Sequence, residues 1–319
     1  MSTHRIIAVV GATGAQGGGL ARALLQDPKS PFRVRALTRT PTSDAARRLA
    51  EQGAELVTAD LDDLDSLVRA FEGAYGAFCV TNYWEHHSPD REHTQATNLA
   101  EAARRAGLQH VIWSTLEDTR QWMALDDDRM PTLMERYKVP HLDAKGESNH
   151  VFTERGVPTT FLLTSFYWEN LLQPGMLAPG PDGAVALTLP MGDAKLPGIA
   201  AEDIGRCAAG IFRAGPERYA GRTIGIAGEH LTGSQMTSAL ANSLGMPVDY
   251  HAVEPAVYRT FGFPGADDLG NMFQFKRDFN ADFCNARNVS RSRRLNPDLQ
   301  SFNAWLAANK DQFRAPQTA

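Results

Sequence analysis

Cysteine is scarce in this chain. Cys79, Cys207 and Cys284 are the only three in 319 residues. They lie far apart, form no CxxC pair and leave no disulfide framework or metal-ligand spacing to read. Their odd number suits a reducing cytosol. Basic charge is also short, since 37 acidic residues outnumber 32 basic ones and the formal net charge is -5. A direct nucleic-acid binder shows a basic face, so that class is not expected. Long hydrophobic runs are missing. The stretch IIAVV at 6–10 is too short to span a bilayer and runs straight into glycines. Internal repeats, heptads and low-complexity tracts are not visible either. What remains is a cytoplasmic protein without a membrane segment, whose 43% hydrophobic content can bury a sizeable core.

The residues that are present alternate between two rhythms. Short apolar runs at 5–10, 32–39, 54–60, 75–82, 110–115 and 158–165 read as strands. Between them, 17–27, 43–53, 63–73 and 92–107 have helical spacing, with Ser43 as an N-cap and Gly53 and Gly107 as stops. Strands alternating with helices of this length make βαβ units and a parallel sheet covered on both faces. The expected fold is α/β, a Rossmann-type doubly wound parallel sheet over 1–165 with a smaller C-terminal α+β lobe over 166–319. A helix is expected over 145–155, and turns with short strands over 173–198. Helix 201–215 and strand 221–228 are expected to return to the first sheet, followed by helices at 232–245 and 298–312.

GATGAQG at 11–17 follows the first strand and opens the first helix. Glycines at 11, 14 and 17 allow a tight turn whose backbone N–H groups approach a pyrophosphate, and the helix N-terminus favours its charge. An acid at the end of the second strand would accept from a ribose 2′-hydroxyl. ALTRTPTS at 36–43 has no acid but offers Arg39, suited to a 2′-phosphate. Ligands of such sheets sit outside the carboxyl ends of the strands. That nominates Asp60 and Leu61, then Thr81, Asn82 and Tyr83, then Ser114 and Thr115, then Ser165 onward.

GATGAQGG, Arg39, TNYWE (81–85), DAKGE (143–147) and FYWENLL (166–172) together resemble the NmrA-like family of atypical short-chain dehydrogenase/reductase relatives, especially its human redox-sensor branch. The resemblance implies NADP(H), with NAD(H) as the other option, in a cleft between the two lobes. It assigns the pyrophosphate loop to Gly11, Ala12, Thr13, Gly14, Ala15, Gln16 and Gly17, and the 2′-phosphate to Arg39. Asp60 and Leu61 would flank the adenine, and Thr81, Asn82 and Tyr83 would line the middle of the cofactor. Lys145 would reach the nicotinamide ribose, and Tyr167, Trp168, Glu169 and Asn170 would close over the nicotinamide. Two departures remove charge near the phosphates: Ser43 and Thr94 stand where the branch has basic residues.

PHLDAKGE at 140–147 puts His141 and Lys145 four residues apart, on one face of a helix. Catalytic members of the wider superfamily carry a Tyr at the first of these positions, a proton donor. His141 is expected here as a packing or surface residue, and no catalytic residue is nominated. The resemblance favours a cofactor-state sensor that regulates a protein partner or acts as a homodimer. The alternative is an NADPH-dependent reductase of a carbonyl, enone, imine or quinone, using Lys145 and His141. The three histidines of EHHSPDREH (85–93) lack a metal-binding spacing, and the basic cluster at 287–298 is expected to be solvated.

Overall fold

A computed structural model of the chain describes residues 4–180 and 184–313. The ends of the two expected units and residues 181–183 lie outside the described residues. The first half runs β1 (Arg5–Val9), α1 (Ala15–Leu25), β2 (Phe32–Thr38), α2 (Asp44–Glu51), β3 (Glu55–Thr58), α3 (Leu64–Phe71), β4 (Gly76–Cys79), α4 (Pro89–Arg105), β5 (His110–Thr115), α5 (Pro140–Glu147), α6 (Asn149–Glu154) and β6 (Thr159–Leu163). Successive residues of β1 serve opposite faces of the sheet, as the pleat requires. Ile7 and Val9 join one core with α1, while Ala8 and Val10 join another with α3 and α4.

The second half comprises β7 (Phe166–Tyr167), β8 (Leu177–Pro179), β9 (Val185–Leu189), β10 (Leu196–Ile199), α7 (Ala201–Ala214), α8 (Pro216–Tyr219), β11 (Thr223–Gly225), β12 (Glu229–Leu231), α9 (Gly233–Leu244), β13 (Asp249–Ala252), α10 (Pro255–Tyr258), α11 (Ala266–Asp278), α12 (Asn280–Ala286), α13 (Val289–Leu295) and α14 (Phe302–Asn309). The main sheet has seven strands in the order β11-β6-β5-β4-β1-β2-β3, all parallel. Strand order reverses between β1 and β4, and a crevice opens at such a point. β11 extends this sheet, and α7 lies against α1. There a Cβ on Gly205 would come within 2.0 Å of the Leu20 backbone nitrogen, so the helices touch through glycine. Two three-stranded sheets, β12-β10-β7 and β13-β9-β8, build the smaller lobe around its own core. Among the described residues, no helix is long and apolar enough to cross a membrane.

Several elements differ from the sequence reading, and three of them shape the site. The helix expected over 145–155 is two helices, beginning at Pro140 and broken at Ser148. Proline suits the first helical turn, where its missing N–H is not needed. The buried Ser148 hydroxyl donates to the Ala144 carbonyl at 2.7 Å. α4 begins earlier than expected, because Ser88 caps it by accepting from the Arg91 N–H at 3.2 Å. α11 was not anticipated, and it supplies much of the cleft's far wall.

Candidate functional site

A cleft of about 1040 Å3 lies at the carboxyl ends of the main strands, between the sheet and the smaller lobe. Gly11, Thr13, Gly14, Ala15, Gln16, Gly17, Arg39, Asp60, Leu61, Thr81, Asn82, Tyr83, Lys145, Tyr167 and Asn170 line it. Ala12, Trp168 and Glu169 do not. Ala12 is buried in the sheet's core. Trp168 packs at a tilt against Phe302 and Trp305, and Glu169 accepts from the Ala201 N–H and the Trp305 indole at 2.9 and 3.0 Å. They follow Tyr167 in a 3-10 turn, which aims successive side chains in different directions. That sends these two into the smaller lobe.

The loop after β1 fits a pyrophosphate. Gly11 has φ +63°, and a Cβ on Gly17 would lie 2.5 Å from the Gly11 carbonyl oxygen. No side chain caps α1, and its first turn holds no acid. The first N–H groups of a helix have no intrahelical acceptor, so they are left for an anion. Gln16 ties the loop to both lobes: it accepts from Ser114 Oγ at 2.8 Å and donates to the Tyr167 hydroxyl at 2.5 Å. Ser114 is thereby occupied, and Thr115 Oγ1 donates to the Lys145 carbonyl at 3.0 Å. Neither strand-end hydroxyl lines the cleft.

At the outer end, Arg39 is exposed and pairs with Glu85 at 3.0 Å. Ser43 sits beside it as the N-cap of α2, accepting from the Ala46 N–H at 3.3 Å. Thr94 spends its hydroxyl on the Asp90 carbonyl at 2.9 Å, within its own helix. Asp60 and Leu61 are tied to α3 and α4. Ser66 Oγ receives the Asp60 N–H, and Asn98 donates to the Leu61 carbonyl at 2.8 Å.

Lys145 and His141 have different partners. Lys145 Nζ lies 3.0 Å from the Thr81 carbonyl, 2.6 Å from Thr81 Oγ1 and 2.5 Å from Glu92 Oε1. These three acceptors match the three N–H bonds of an ammonium. Glu92 is fully buried, accepts a short hydrogen bond from Thr81, and lies 3.5 Å from His86 Nε2. Burial lowers the His86 pKa, and Glu92 opposes that only in part. Sequence reasoning missed Glu92, which reads like any acid in the first turn of a helix.

His141 is buried on α5, one turn before Lys145. Its Nδ1 lies 2.7 Å from Asp268 Oδ1, and its backbone N–H donates to Asp268 Oδ2 at 3.2 Å. Asp268 stands on α11 and thus fixes both the ring and its backbone. A carboxylate at Nδ1 keeps the proton there and leaves Nε2 as the reactive nitrogen. The ring packs at a tilt against Trp84, 4.8 Å between centroids, lies 6.0 Å from Tyr83 and lines the cleft. Burial, aided by the nearby Asp268 and Glu92 charges, pushes the Tyr83 hydroxyl up, so it stays protonated. His141 is therefore a positioned cleft residue and not a packing or surface one.

Beyond His141 the cleft turns apolar. Leu116, Leu142, Phe166, Met176, Met272 and Phe273 line it there, with Tyr258 and Lys276 among the polar lining groups. The basic cluster is only partly solvated, because Arg287 is fully buried. Among the described residues, no group of three His, Cys, Asp or Glu side chains is placed to hold a metal ion.

A model of the NmrA-like family matches residues 3–306. The chain is 31% identical over 290 residues to an NmrA-like family domain-containing oxidoreductase of a Cladobotryum species, covering 85% of this chain and 83% of that one. NmrA, a negative transcriptional regulator solved in complex with NADP, superposes with a TM-score of 0.77 at 24% identity, covering 96% of this chain and 95% of that one. The Citrobacter sp. triphenylmethane reductase complexed with NADP(H) superposes with a TM-score of 0.72 at 19% identity, covering 96% and 99%. At these identities the two structures share the fold with this chain.

Proposed function

The chain belongs to the NmrA-like family, and from that premise we propose that it is an NADP(H)-dependent reductase of an apolar carbonyl, enone, imine or quinone. One observation carries the reading. His141, held by Asp268, stands where the dinucleotide half of the cleft meets its apolar half. The curated relative's name and the ligands of the solved neighbours point the same way.

The dinucleotide would lie along Gly11–Gly17, with its adenosine ribose near Arg39 and Ser43. Its nicotinamide would supply a hydride. His141 Nε2 would give a proton to the substrate oxygen or nitrogen, and Asp268 would stabilise the imidazolium that donates it. The ring would then recover a proton from water. Lys145 would act by positioning: its three N–H bonds hold the Thr81–Glu92 cluster, and with it the segment after β4 that borders the cofactor.

The family's sensor reading is favoured by the same lysine, whose three N–H bonds meet acceptors on Thr81 and Glu92. Purified protein incubated with NADPH and a panel of quinones, enones and imines separates the two readings by absorbance. Steady NADPH consumption with any of them is the expected result. Tight binding without consumption, together with a change of oligomeric state between NADP+ and NADPH, would leave the sensor reading instead.

Cofactor choice should depend on Arg39 and Glu85. Arg39→Ala should weaken NADPH binding about 10- to 100-fold while leaving NADH unchanged, the worth of a charge-assisted contact to a phosphate. Glu85→Gln should tighten NADPH binding about two- to fivefold, because an exposed ion pair no longer competes for the guanidinium. Fluorescence titration with both nucleotides reads the two effects. Equal losses for NADH and NADPH in Arg39→Ala would remove the 2′-phosphate assignment.

A further inference from the structure

Lys276 is a charge-bearing group that the proposed chemistry does not use. It lies on α11, which also carries Asp268 and Met272. Spacings of four and eight residues put all three on one helix face, and that face lines the far half of the cleft or holds its histidine. From Asp268 to Lys276 the helix rises about 12 Å, so His141 and Lys276 stand toward opposite ends of the apolar pocket. Lys276 is almost fully buried. Its Nζ contacts Met272 Sδ at 3.2 Å, a weak acceptor, and faces the rings of Phe283 and Phe273 at 5.3 and 5.6 Å. No carboxylate among the described residues forms an ion pair with it. The charged groups that act on it are Arg287, between α12 and α13, and Glu117, after β5, and these two are already bonded to each other at 2.5 and 2.9 Å.

An unpaired ammonium in an apolar wall is costly. A purely structural position would be better filled by methionine or leucine. The cost is offset if a ligand brings the missing anion. We infer that Lys276 anchors an anionic oxygen of the substrate, so that the pocket selects a flat, apolar, aromatic molecule bearing a carboxylate away from its reacting group. This deepens the reductase reading and rests on it for the identity of the far half as the substrate pocket.

The titration behaviour agrees. Burial pushes the Lys276 ammonium down to about 7, Arg287 adds to this and Glu117 opposes it. The amine is charged below that value, so attraction for a carboxylate is present at lower pH and is lost as pH rises through it. Tyr258, in the same half, is pushed up to about 12 by burial and stays neutral over that range. His141 also lines the cleft, and the Lys276→Met variant controls for it.

Cinnamate and cinnamamide have the same shape and differ in charge. Calorimetric titration of the full chain, with and without NADP+, should find cinnamate bound at least about tenfold more tightly near pH 6. That preference should shrink several-fold near pH 8.5 and vanish in Lys276→Met, while NADP+ affinity is unchanged. Equal binding of the two probes to the wild type, or a preference that survives in the variant, overturns the inference. If Lys276→Met does not fold, the wild-type preference and its loss with rising pH decide the matter. Charge selectivity without turnover of any carbonyl compound would sink the reductase reading alone. Turnover of neutral quinones without charge selectivity would sink this inference alone.

Discussion

Replacing His141 with asparagine should lower kcat for NADPH consumption by about 10²- to 10⁴-fold, the usual contribution of a positioned proton donor, with NADPH affinity unchanged. Asparagine places an amide N–H near the position of Nδ1, so Asp268 keeps a partner and the fold is spared. What disappears is Nε2, the nitrogen left to the cleft. Asp268→Asn makes the complementary change. It removes the carboxylate charge that would stabilise the imidazolium, so the ring loses the charged form that donates from Nε2. Both variants should therefore fall in kcat and leave nucleotide titrations alone. A full-rate His141→Asn enzyme would move the proton donor elsewhere in the cleft. A rate loss matched by lost nucleotide binding would make the pair structural.

Arg287→Met should destabilise the protein by about 3–5 kcal/mol, the usual result of leaving one partner of a buried ion pair alone. The guanidinium is fully buried, grips both oxygens of Glu117, donates from Nε to the Thr164 carbonyl at 2.7 Å and lies 3.6 Å over the Phe283 ring. Glu117 follows β5 and Thr164 follows β6. One side chain from the smaller lobe thus clamps two strand ends that border the cleft. Denaturant unfolding should show a lower midpoint with an unchanged slope. The double variant Arg287→Met, Glu117→Leu should recover most of the loss, because apolar replacement of a whole buried pair is often neutral. A single variant within about 1 kcal/mol of wild type would show that the pair adds little beyond packing.

Local physics alone accounts for the parts of the molecule legible in the residue order. Apolar runs bounded by glycine make buried strands, Ser43 and Thr232 cap the helices they precede, and the glycines at 11, 14 and 17 shape a turn over a helix N-terminus. Each needs only a handful of neighbouring residues, so the sheet, the loop and the strand-end nominees Asp60 to Tyr83 were legible. Trp168 and Glu169 mark the limit of that reading. They stand beside Tyr167 in the chain, but a 3-10 turn aims each in its own direction: Trp168 enters the smaller lobe's core and Glu169 bonds to Trp305 of that core.

The chemistry of the candidate site comes instead from contacts between distant segments. His141 meets Asp268 from 127 residues away. Glu117 meets Arg287 across 170 residues, and Lys145 finds Glu92 on another helix. Acids early in a helix and bases late in it read as ordinary dipole complements on a solvated face, and α11 has that pattern. Whether such a charge faces water, a partner or an empty apolar wall depends on which element packs over it. That is set by burial of the whole helix face, and no short window of sequence contains it. PHLDAKGE alone shows a histidine and a lysine on one face, while packing gives the histidine a carboxylate and sends the lysine to Thr81 and Glu92.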